Sequence, residues 1–145
     1  MMARATWRLF VVLFVVLASA VPVPGGQPGT TRTVSVDGGS YTAVNPAALA
    51  AMLARKDFVL VNVHVPYEGE IEQTDRLVPF DAIEARLDTL PVRKDAKVVL
   101  YCRSGRMSTI AARTLVKLGY TDVSNLEGGM LAWEGSGYAL THRRR

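Results

Sequence analysis

A chain of 145 residues, 49% hydrophobic and 21% charged, has enough apolar mass for one folded domain, which excludes a disordered or fibrous protein. Its net charge of +4 comes from the ends, with Arg4 and Arg8 near the start and Arg143, Arg144 and Arg145 at the finish, so the body between them is close to neutral. Three terminal arginines read as solvated chain rather than a nucleic-acid or lipid site, and the one cysteine, Cys102, excludes an intramolecular disulfide.

In chain order, Arg4 and Arg8 precede residues 9–20, which carry no charge and end in Ala18-Ser19-Ala20, the small-x-small pattern of a signal-peptidase site. This run is short of the roughly 20 residues that span a bilayer as a helix. Residues 1–20 therefore read as a signal peptide, with an uncleaved membrane anchor as the lesser alternative. A lipoprotein anchor would need a cysteine near the cleavage site, and Cys102 is far from it. The expected location is periplasmic or extracellular, with no membrane span after cleavage. Residues 21–40 open with three prolines and three glycines in "VPVPGGQPGTTRT" and read as a flexible linker. The folded domain is expected at 41–138, and a basic tail at 139–145.

Within the domain, strands and helices alternate. Residues 40–44 form a short strand, and a helix follows from Asn45, which can cap it, and Pro46 at the first helical position, with Leu49, Met52 and Leu53 as its apolar stripe. "DFVLVNVHV" (57–65) is an almost continuous apolar run, the signature of a buried parallel strand. A polar segment with Glu68, Glu70, Glu72 and Asp75 comes next and reads as a solvated acidic loop, since neither ligand spacing nor a second histidine supports a metal. Then come a short strand at 77–80, a helix at 81–90, a second buried strand at 97–102 and a helix at 108–119. In that helix Ser108 is the expected N-cap, Ile110, Thr114, Leu115 and Leu118 one face, and Gly119 the left-handed C-cap. A strand at 121–129 and a short closing helix at 130–137, with Trp133 as core, complete the pattern. The fold class is α/β, a central mostly parallel sheet with helices on both faces. Sites in such sheets lie outside the carboxyl ends of the strands, where Cys102 stands.

Six residues, "CRSGRM", separate the Cys102 strand from the next helix. A loop this short, curled over a helix N-terminus, points backbone N–H groups inward and favours an anion at its centre. With Arg103 and Arg106 beside it, that anion is expected to be the Cys102 thiolate, and Gly105 supplies a residue free to take positive φ. A thiolate so held can attack phosphorus, or can attack a sulfane sulfur and carry it as a persulfide. The phosphatase loop needs an arginine six residues after its cysteine to grip phosphate with a bidentate fork. That position is Ser108, which favours sulfur.

"VLYCRSGRMSTIAARTLVKLGYTDVSNLEGGMLAW" resembles the C-terminal half of a single-domain rhodanese, a thiosulfate sulfurtransferase, and "FVLVNVHVPYEGEI" resembles that family's earlier strand and loop. The similarity runs from about Tyr41 to Tyr138. It implies a rhodanese-like three-layer domain that moves a sulfane sulfur from a small anionic donor such as thiosulfate to cyanide or a thiol. Cys102 would be the nucleophile and carrier, Arg103, Ser104, Gly105, Arg106, Met107 and Ser108 the substrate-binding loop, and no metal or organic cofactor is implied. A monomer is expected, with no nucleic-acid partner.

The chain departs from the family in three places. Asn62 and His64 replace an aspartate and an arginine that support the loop, so that ion pair cannot form, and "EIEQTDRLVPF" replaces the usual "HIPGA" segment. In the loop itself Arg106 stands one place early and Met107 takes the place of the second arginine. These changes imply a persulfide carrier with altered substrate preference. Asn62 is expected to be hydrogen-bonded near the loop, and His64 to be a structural hydrogen-bonding group rather than a base. The alternative reading is a noncatalytic module that carries sulfur or binds a partner.

Overall fold

The computed structural model describes residues 28–143, so residues 1–20, expected to be a signal peptide, most of the proline-rich start and Arg144 and Arg145 lie outside the described residues. Six strands form one sheet in the order β1-β2-β6-β5-β3-β4: β1 Thr31–Val36, β2 Gly39–Val44, β3 Val59–Asn62, β4 Arg76–Leu77, β5 Val98–Tyr101 and β6 Val123–Leu126. Only the β1–β2 pair is antiparallel, and every other neighbouring pair runs parallel.

Alternation along each strand builds two cores. On one face Ala43, Val61, Val98 and Leu100 pack with Ala111, Ala112, Leu115 and Val116 of helix α2 (Arg106–Lys117) and with Ile83 and Leu90. On the other, Val44, Leu60, Val99 and Tyr101 pack with Ala48 and Leu49 of α1 (Pro46–Leu53) and with Met130 and Trp133 of α3 (Gly129–Gly135). Helices on both faces cover the central strands, which is why β3 and β5 read as unbroken apolar runs rather than alternating ones. Each fully buried Leu or Val contributes about 1.5–3 kcal/mol of transfer free energy, so these central strands and the helix faces packed on them are a large source of stability.

Four local expectations are corrected. Residues 31–40 are not linker: Thr31–Val36 pairs with β2 over six residue pairs, and four of its six residues, Thr31, Thr33, Val34 and Val36, are β-branched and suit a strand. Residues 81–90 form 3-10 turns, Phe80–Ala82 and Glu84–Thr89, instead of one α-helix, with a break at Arg86. Helix α2 starts at Arg106 with Gly105 as its N-cap, so Ser108 lies in the first turn. Its buried face is Ala111, Ala112, Leu115 and Val116, and Ile110 is exposed, because alanines let the helix sit close to the sheet. Gly119 has φ of 92°, as its expected place after α2 requires. The Asn45 side chain accepts from Ala48 N–H at 2.9 Å and caps α1 as expected.

The tail and the acidic loop also differ from expectation. Thr141 and Glu70 exchange backbone hydrogen bonds of 2.7 and 2.8 Å, and Arg143 Nε donates to both oxygens of the nearly buried Glu70 at 2.9 and 2.8 Å. Asp75 pairs with Lys56 at 2.6 Å and accepts from Leu60 N–H at 2.7 Å. Residues 139–143 are thus a strap docked on the acidic loop, which uses its carboxylates to fasten itself. No helix among the described residues is long and apolar enough to cross a membrane.

Candidate active site

Strand β5 is fully buried and delivers Cys102 to its carboxyl end, 1% exposed. The chain then turns through Arg103, Ser104 and Gly105 into α2. Gly105, at φ of 93°, places its N–H 3.1 Å from Cys102 Sγ, a hydrogen bond from backbone to sulfur. The fully buried Ser108 hydroxyl lies 3.5 Å from the same sulfur and 3.2 Å from the Gly105 carbonyl. The sulfur therefore sits over the first turn of α2 with donors on two sides, the setting expected to favour an anion.

The loop is tied down from outside. Met130 N–H donates to the Cys102 carbonyl at 2.9 Å and Leu131 N–H to the Arg103 carbonyl at 3.0 Å, so the first turn of α3 takes up both carbonyls. Close approach is possible only because Gly129 has no side chain: a Cβ there would lie 2.2 Å from the Cys102 oxygen. The sequence motif "LEGG" marks this contact, but its role in holding the loop shows only in the tertiary structure.

Of the expected site residues, Cys102, Gly105 and Ser108 meet directly. Arg103, Ser104 and Arg106 are exposed around them, Arg106 being the first residue of α2 and free of ion pairs among the described residues. Met107 is half-buried and packs against the apolar cluster that contains Cys102, Leu100 and Ala111, so its side chain supports the core beneath the loop. Asn62 is buried and links the ends of the preceding loop: its Nδ2 donates to Gly69 O and its Oδ1 accepts from His64 N–H, both at 3.0 Å. The His64 ring hydrogen-bonds Glu68 through Nε2, and the other oxygen of Glu68 lies 3.6 Å from Arg103. His64 therefore reaches the Cys102 loop through Glu68, and Asn62 braces the same segment; by sequence alone Glu68 is one more solvated acid. A carboxylate at i+4 from a histidine was the available signal.

Behind the site, the Tyr101 hydroxyl accepts from Ile71 N–H at 3.0 Å and lies 2.7 Å from Thr74 Oγ1. Burial pushes its pKa from 10.0 up to about 12, the hydrogen bonds to Thr74 and Ile71 opposing the shift. Tyr101 is thus a neutral strut between β5 and the acidic loop.

The Rhodanese-like domain profile matches residues 45–136. A sulfurtransferase of Allochromatium vinosum is 37% identical over 103 residues, covering 67% of this chain and 92% of its own length. The crystal structure of a rhodanese-like domain protein from Staphylococcus aureus, 27% identical, superposes with a TM-score of 0.60 over 70% of this chain and 98% of that one. A rhodanese-related protein of Thermoplasma volcanium, 26% identical, gives a TM-score of 0.58 over 68% and 95%. The matched residues 45–136 include the Cys102 loop and strands β3 to β6, and the chain belongs to the rhodanese-like domain family.

Proposed function

We propose that this protein is an exported sulfurtransferase that carries a sulfane sulfur as a persulfide on Cys102. The observation that carries the reading is the Cys102 sulfur facing the Gly105 N–H at 3.1 Å and the Ser108 hydroxyl at 3.5 Å at the start of a helix. Similarity to a sulfurtransferase of nearly the same domain length supports sulfur transfer as the chemistry. The position six residues after the cysteine holds Ser108, whose hydroxyl is turned inward to the sulfur and offers no fork to phosphate.

With thiosulfate as donor, the Cys102 thiolate attacks the outer sulfur. A Cys–S bond forms, the S–S bond of thiosulfate breaks, and sulfite leaves with the electron pair. The loop amides and the α2 dipole stabilise the negative terminal sulfur of the persulfide. Cyanide or a thiolate then attacks that sulfur, and Cys102 leaves as thiolate.

The test is thiocyanate formation from thiosulfate and cyanide. Wild type is expected to turn over and Cys102→Ser to lose all activity. Gain of one sulfur's mass on Cys102 without turnover would instead assign a sulfur carrier, and neither result would leave a binding module. Export rests on residues 1–20, and N-terminal sequencing of protein recovered outside the cytoplasm is expected to begin at Val21.

A further inference from the structure

Two charges stand at the mouth of the Cys102 loop. Arg103 directly follows the cysteine, with a side chain 47% exposed, and Glu68 faces it across 3.6 Å with a side chain 39% exposed. Glu68 is not free to swing away. Its other oxygen bonds the His64 ring, and Asn62 holds the residues on either side, His64 by its N–H and Gly69 by its carbonyl. The next residue, Glu70, is fastened to the C-terminal strap by Arg143 and Thr141. A carboxylate held by the His64 ring, on a segment whose backbone Asn62 and the strap brace, is a fixed negative charge beside the guanidinium of the residue that follows the reactive cysteine.

We propose that Glu68 sets the charge selectivity of the Cys102 site: by offsetting Arg103, it lowers the advantage of anionic reactants and admits neutral or amine-bearing thiols as sulfur acceptors. Its meaning for the reaction rests on the sulfur-transfer reading. In that reading the acceptor thiolate attacks the outer persulfide sulfur, the Cys102–S bond breaks, and Cys102 leaves as thiolate, so a second charge on the acceptor approaches a loop whose first side chain after the cysteine, Arg103, is paired with Glu68. Glu68 is a positioning and selectivity residue, not a nucleophile or base. Arg106, without an ion pair among the described residues, remains the guanidinium that draws an anionic donor.

Because Cys102 is the only thiol, alkylation reports the site's charge without any sulfur transfer. In purified protein the Cys102 rate ratio for iodoacetate over iodoacetamide is expected to rise ~3–10-fold in Glu68→Gln and to fall in Arg103→Gln, both shifts shrinking with added salt. Acceptor turnover with 3-mercaptopropionate against cysteamine is expected to move in the same two directions. A Glu68→Gln ratio within twofold of wild type, or equal changes for both reagents, would overturn the proposal, since a purely structural role moves both alike. If alkylation ratios shift while no thiocyanate or persulfide forms, the charge role stands and the sulfur-transfer reading fails.

Discussion

A methyl group at Gly129 would sit 2.2 Å from the Cys102 carbonyl oxygen and 2.7 Å from the carbonyl carbon of Arg103, both backbone atoms that cannot rotate away. Gly129→Ala is therefore expected to shift the cysteine loop, lowering stability by about 1–3 kcal/mol and persulfide formation by about tenfold or more. Urea denaturation and the thiocyanate assay would measure the two effects. Tyr101 acts at the same scale but through its proton. Its folded pKa of about 12 lies above the unfolded 10.0, so the neutral hydroxyl's contribution is fully present below pH 10 and is lost as pH rises through 12. Denaturation midpoints at pH 9 and 11.5 are expected to fall further for wild type than for Tyr101→Phe, by a difference on the order of 2 kcal/mol.

At the scale of elements, the strap and the acidic loop are one unit. The bridge between Glu70 and Thr141 and the two-pronged Arg143 contact join residues 71 and 73 apart in sequence, and Arg143 Nη2 also donates to Thr74 O at 3.2 Å. Arg143→Ala leaves the Glu70 carboxylate nearly buried without its partner, and the expected cost is about 1–2 kcal/mol, reduced because Arg143 is itself half exposed. Hydrogen exchange at the Glu70 and Thr141 amides is expected to accelerate, while amides of β5 stay protected. Protection unchanged at both positions would show that the backbone bridge alone holds the strap. The helices differ in how legible they were. Asn45-Pro46 announces α1 by local chemistry, whereas the start of α2 is decided by Gly105 in the left-handed region, a glycine that the loop needs for the sulfur contact as much as the helix needs for its cap.

For the molecule as a whole, the outer hairpin closes the sheet. Val34 and Val36 of β1 pack against the core that contains Tyr41 and Ala43, and β1 covers the free edge of β2. A protein beginning at Tyr41, the domain start suggested by the sequence, would expose that edge and lose the apolar cover. It is expected to melt several degrees lower and to associate through the bare strand, as thermal melts and light scattering would show. Asn62 illustrates how the site depends on the global fold. It lies at the end of β3, beside Tyr101 at the end of β5, and the parallel pairing brings the loop that its amide braces next to the Cys102 loop, where Glu68 meets Arg103.

Local sequence determined what depends on neighbours along the chain: the apolar runs of β3 and β5, the caps of α1, the glycine after α2, the cysteine at a strand end, and hence the α/β class and the loop around Cys102. Tertiary structure alone decided what depends on partners far apart. Thr31–Val36 is a strand because β2 pairs with it, 81–90 break into 3-10 turns where they pack under the sheet, and Glu68 and Glu70 become fasteners because Arg103 and Arg143 arrive from 35 and 73 residues away. An acidic side chain carries no mark of its future partner. Its charge is written in the sequence, and the low-cost place to put that charge exists only once the sheet has brought the ends of its strands together.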